Sequence, residues 1–153
     1  MSHTNIIHHF GSAGGLQSAL MESMVRDLMV ALDGVVGRLK IDATAPQAVV
    51  GQVFDAFDAE GGGQLAAWLV LSREFDHLEP IRQAVNDLVA ALSEKFPGAP
   101  DVDARMRSAV LLIAVSAFGD AVIGPHLRDM LGLKPDAMRT MIARILPFFY
   151  LAG

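Results

Sequence analysis

The chain has no cysteine among its 153 residues. That excludes a disulfide framework and any cysteine-based zinc or redox site. The first 25 residues carry no lysine or arginine; Arg26 is the first basic residue. A secretory leader needs a basic start and an apolar core, so none is expected and a cytoplasmic address fits. Positive charge is also scarce overall. The net charge is −5, which disfavours nucleic acid as a partner through bulk electrostatics. Long apolar runs are few. The longest, "AVLLIAVSAFGDAVIG" over residues 109–124, is short for a membrane span and is interrupted by Asp120. A buried interface helix is the expected reading, with no membrane partner.

Chemistry-bearing motifs are missing as well. There is no nucleophile elbow, Walker loop or dinucleotide glycine pattern. The glycines Gly61 to Gly63 lack the preceding strand that a phosphate loop needs. Asp55, Asp58 and Glu60 read as a solvated helix end rather than a paired acid and base. His3, His8, His9, His77 and His126 form no HxxxH or HExxH pair, so no metal site is expected. The expectation is therefore no enzyme, no metal and no cofactor. No segment alternates with period two long enough to predict a strand.

What is present is apolar residue at helical spacing. The apolar fraction of 52% is high for a soluble protein and implies extra buried surface, at an interface or around a cavity. Leu16, Leu20, Met24, Leu28, Leu32 and Val36 form an i, i+4 stripe, predicting a helix from Leu16 to about Leu39. Pro46 suits the first position of a helix carrying Val50, Val53, Phe54 and Phe57. A short apolar helix follows around Leu65, Trp68, Leu69 and Leu71. Glu79-Pro80 opens another, with Ile81, Val85, Leu88, Leu92 and Phe96 on one side. Asp101 is placed to cap the next helix. That helix has two apolar faces, Met106, Val110, Ile113 and Ala117 on one and Leu111, Val115, Phe118 and Val122 on the other. Gly124-Pro125 ends it. After a short "HLRDMLGL" piece, Pro135 starts a last helix that Pro147 kinks or ends. The fold class is all-α, with six or seven helices.

The opening segment "SHTNIIHHFGSAGGLQSAL" resembles the TetR family of bacterial transcriptional regulators. In that family a recognition helix closes in an aromatic-x-His-Phe pattern. A Gly-Ser-Lys-like turn follows, then a Gly-Leu pair opens a long helix into the ligand-binding domain. His9, Phe10, Gly11, Ser12, Gly15 and Leu16 match this pattern, and Ser2 matches the small residue that opens the recognition helix. Two positions depart from it. Ile7 stands where tyrosine is usual and Ala13 where lysine is usual, which weakens phosphate anchoring. The match covers about 15 residues; beyond it the agreement is in helix order and in the two C-terminal helices.

The resemblance implies a helical bundle like the family's ligand-binding and dimerisation domain over residues 14–153. Residues 1–13 would be a remnant of the recognition helix and its turn. The two supporting helices of the helix-turn-helix do not precede it here. A start set too late, a deliberate shortening and a naturally headless relative are the three explanations, and a longer parent regulator is the expectation. Ser2, His3, Thr4, Asn5 and His8 would be the DNA-reading residues of the intact protein, on operator DNA that this chain alone is not expected to bind. Met24, Phe54, Phe57, Trp68, Leu71 and Phe75 are expected to line a pocket for a small apolar effector, with Arg73, Glu74 and His77 at its edge. Ile113, Ala117, Phe118, Ala121, Met138, Met141, Ile142, Ile145 and Phe149 are expected to form a homodimer interface of two helices from each subunit. The implied function is a repressor switched by its effector. The alternative is a headless relative that sequesters a ligand or forms mixed dimers without binding DNA.

Overall fold

A computed structural model describes residues 13–58, 61–73 and 79–151. Among them are seven α-helices and one 3-10 turn, with no strand. The helices are α1 (Ala13–Val36), α2 (Ala45–Asp58), α3 (Gly62–Ser72), α4 (Glu79–Glu94), α5 (Val102–Val122), α6 (Gly124–Leu131) and α7 (Ala137–Ile145). The 3-10 turn Leu146–Phe149 follows directly. The DNA-reading candidates Ser2, His3, Thr4, Asn5 and His8 lie outside the described residues.

Helix α1 begins at Ala13, three residues before the expected start, and includes Gly14 and Gly15. Its i, i+4 stripe does not stay on one face. Each four-residue step overshoots a 3.6-residue turn by about 40°, so the row winds round the helix. Leu20 is accordingly 49% exposed, while Met21, Leu32 and Val36 are buried. The helix gives way after Val36 to tight turns, where the Arg38 amide donates to the Val35 carbonyl at 3.0 Å. Asp42 then shapes the entry to α2. Its carboxylate accepts the Thr44 hydroxyl at 2.7 Å and the Thr44 amide at 2.8 Å, a side-chain turn that competes with helix extension.

Helix α2 is the central post and touches α1, α3, α5 and α7. Pro46 is its second residue, still within the first turn where a missing N–H is tolerated. Val50 and Phe54 are almost wholly buried, each stabilising the fold by about 1.5–3 kcal/mol relative to exposure. The glycines after α2 set a close approach. Gly61 adopts a left-handed φ of 76°. A Cβ on Gly62 would lie 2.5 Å from Met24 Sδ and 2.7 Å from the Ala56 carbonyl oxygen, and one on Gly63 would lie 2.9 Å from Ala121 Cβ. Helix α3 thus starts pressed against α1, α2 and α5 in a way only glycine permits.

Helices α1 and α4 run in the same direction. Arg26 pairs with Asp87 at 3.2 Å, and further along Asp33 pairs with Lys95 at 2.8 Å. Asp101 does not cap α5 through its side chain. Its backbone is left-handed at φ 52°, which turns the carboxylate away, and only its carbonyl takes part, accepting the Arg105 amide. The inner row of α5, Met106, Ala109, Ile113 and Ala117, is buried. At Ile123 the chain bends by 77° into α6, which packs chiefly on α5. Helix α7 starts at Ala137, two residues after Pro135, and ends where Pro147 enters the 3-10 turn. Tyr150 closes the core by stacking on Phe96, with ring centres 5.6 Å apart.

No single helix among the described residues is long and apolar enough to cross a membrane; the bent pair α5 and α6 reaches that only by length and composition taken together.

Candidate functional site

Two voids lie along the α1–α4 pair. The inner cavity has a volume of about 220 Å³ and lies between α1, α2, α4 and α5. Its wall contains no polar side chain: Met21, Met24, Val25, Leu28 and Leu32 come from α1, Val49, Val53 and Phe57 from α2, Ile81, Val85, Leu88 and Leu92 from α4, and Val110, Ile113 and Ala114 from α5. Apart from the ring of Phe57, the wall is built of branched and straight aliphatic chains from four helices. Two methionines on α1 give that wall adaptable shape. The outer groove, about 310 Å³, opens on the far side of Leu32, Leu88 and Leu92 and carries Asp33 and Lys95 at its rim.

The expected pocket residues divide. Met24 and Phe57 line the inner cavity. Phe54 does not; it is 1% exposed in the central core, where the Arg139 guanidinium lies 5.5 Å over its ring. Leu71 does not either, being 82% exposed near the end of α3. Trp68 is half-buried on α3, away from the cavity wall. Phe75, Glu74 and His77 lie outside the described residues, and Arg73 is exposed at the left-handed end of α3. The aliphatic row of α4, not among the expected pocket residues, supplies a whole wall. Its 3–4 spacing facing the similar row of α1 is the signal that locates the cavity.

The second site is an open apolar face at the C-terminal end. Among the described residues the outer row of α5 is largely uncovered: Leu111 is 65% exposed, Val115 60% and Val122 50%. Met141 and Ile145 of α7 are also exposed, as are Phe148 and Leu151 beyond it. Val115, Met138 and Met141 share the wall of one groove of about 320 Å³ between α5, α6 and α7. Of the expected interface residues, Met138, Met141, Ile145, Phe118, Ala121 and Phe149 retain some exposure. Ile113, Ala117 and Ile142 do not. They are at most 7% exposed because the inner faces of α5 and α7 pack on α2, so they belong to the monomer's core.

In the wall of that groove, Asp120 of α5 and Arg128 of α6 form an ion pair, with side chains only 12% and 17% exposed. Burial pushes the Asp120 carboxyl above its usual range; Arg128 and Arg139 pull it back down, and Asp58 pushes it up. Asp55 and Asp58, read as a solvated helix end, both face Arg139 of α7, at 2.6 Å and 3.9 Å. Among the described residues no group of three or more histidine or acidic side chains is placed to hold a metal ion. The inner cavity can exclude water and hold an apolar group; the outer face can bury itself against another apolar surface. Comparison of the chain with family models, with curated proteins and with solved structures gives no match.

Proposed function

We propose that the chain is the effector-binding and dimerising part of a TetR-like transcriptional regulator, acting as a repressor. The observation that carries the reading is the wholly apolar cavity of about 220 Å³ between α1, α2, α4 and α5. Apolar lining with few polar groups is what small-molecule sites use to gain affinity. Five of the lining residues, Met21, Met24, Val25, Leu28 and Leu32, lie on α1. That helix leads back to residues 1–12, where the sequence resembles a recognition helix and its turn. An effector that spreads the cavity bears directly on α1. In a dimer, a small tilt of α1 in each subunit would change the spacing of two DNA readers and take them out of register with successive major grooves.

The test is binding of indole and 1-hexanol, read as a rise in thermal midpoint with probe concentration. A probe that binds only the folded state stabilises it by about 2.7 kcal/mol at a hundred times its Kd. Ala114→Phe fills the cavity from the α5 side and is expected to abolish the rise without lowering the midpoint of the free protein. No rise in the wild type, or an equal rise in the filled variant, removes the cavity from the function. For the regulator as a whole, a mobility shift of its own upstream DNA that the same probe releases is the expected outcome.

A further inference from the structure

The inner cavity and the outer groove share three side chains of their walls. Leu32, Leu88 and Leu92 line each of them. The inner chamber alone is smaller than the roughly 300–1,000 Å³ of ordinary ligand sites, whereas the outer one adds about 310 Å³ along the same helix pair. The two chambers differ in chemistry. The inner wall has no polar side chain, and the outer rim has two charged ones, Asp33 and Lys95. A ligand spanning both must therefore be apolar at one end and polar at the other, because a charged group held inside would lose its hydration with nothing in exchange.

We propose that the effector is an amphiphile with an unbranched hydrocarbon tail in the inner cavity and a carboxylate head at the Lys95 ammonium. This rests on the ligand-sensing reading above and specifies its ligand class. Lys95 is the better anchored of the two rim charges, 36% exposed against 69% for Asp33, which holds it at 2.8 Å. An ammonium has three donors, and Asp33 accepts from it through one oxygen. An arriving carboxylate finds donors free or displaces an exposed partner that holds weakly. A second ammonium stands at the same end of the helix pair, where Lys40 lies 5.3 Å from the centre of the Phe96 ring. A cationic head would meet Asp33 but also face the Lys95 ammonium.

Calorimetric titration of the full chain with decanoate, 1-decanol and decylamine tests the assignment. Decanoate is expected to bind about tenfold or more tightly than decylamine, as a charge-assisted hydrogen bond requires. Lys95→Gln should weaken decanoate by about tenfold and leave 1-decanol within about twofold. Asp33→Asn should tighten decanoate, because it removes the competing carboxylate. Both substitutions sit at the rim, and thermal midpoints close to the wild type establish that the variants are folded. Equal binding of decanoate and 1-decanol, preference for decylamine, or indifference of decanoate to Lys95→Gln overturns the head assignment. Binding of 1-decanol in any of those cases leaves the cavity's role standing; failure of 1-decanol and indole alike overturns the ligand-sensing reading itself.

Discussion

Gly62 is limited to a hydrogen side chain by two neighbours of different stiffness. Met24 can swing away, but the Ala56 carbonyl belongs to the backbone of α2 and stays. Gly62→Ala is therefore expected to destabilise the fold by about 1–3 kcal/mol, the range for overpacking a tight site. Gly34, on an exposed stretch of α1 with nothing within 4 Å of its would-be Cβ, is the control. Gly34→Ala should stabilise by about 0.5–1 kcal/mol, since alanine is the better helix former. Urea midpoints of the two variants check both signs. Asp120 gives a different prediction. Its folded pKa is raised, chiefly by burial, so the folded state holds the proton more tightly than the unfolded one. The associated stability is fully present below the unfolded value, about 3.9, and is lost as pH rises through the folded value. A stability profile against pH should show a decline above the ordinary carboxyl range that Asp120→Asn flattens. An unchanged slope in the variant would assign the decline to another group.

At the scale of elements, the elbow between α5 and α6 rests on a three-residue arrangement. A Cβ on Gly124 would lie 2.5 Å from Asp120 Oδ1 and 2.7 Å from Arg128 Nη1, so the ion pair closes over the one residue that leaves room for it. Gly124→Ala and Asp120→Ala are thus expected to damage the same contact. Their stability losses should fall short of additivity by about 0.5–3 kcal/mol in a double-mutant cycle, whereas independent sites would add. The sequence announced this elbow, because Gly-Pro stops a helix wherever it falls. It announced most other elements for similar reasons: apolar spacing, the Glu79-Pro80 start and the late Pro147 act within a few residues. What it hid depends on distant partners. The i, i+4 row of α1 looked like one face until helical drift turned Leu20 outward. Asp101 looked like a cap, but the left-handed turn it occupies is imposed by how α4 hands over to α5. Of the aromatic residues expected as pocket lining, Phe57 lines the cavity and Phe54 instead fills the core; the rest of the wall comes from aliphatic rows of four helices.

For the molecule as a whole, the decisive imbalance is between the two faces of α5. One face is core and the other, at Leu111, Val115 and Val122, is at least half exposed. With Met141, Ile145 and Phe148 beside it, this makes an apolar surface of the kind that soluble chains cover with a partner. A second copy of the chain is the partner that the regulator reading requires. Two-fold symmetry would set the α5 row of one subunit against the same region of the other, so a single substitution would act twice. Val115→Arg tests this directly, because it sits mid-row and within the groove wall. Two arginines brought together at a symmetric contact repel each other and lose water without a counter-charge. Sedimentation equilibrium should give the wild type twice the chain mass of 16.3 kDa and the variant that mass once. The thermal midpoint of the wild type should rise with protein concentration and that of the variant should not, since only association couples stability to mass action. A wild type that sediments as a monomer would leave the outer face of α5 to some other partner, and the two-reader switch would lose its geometry.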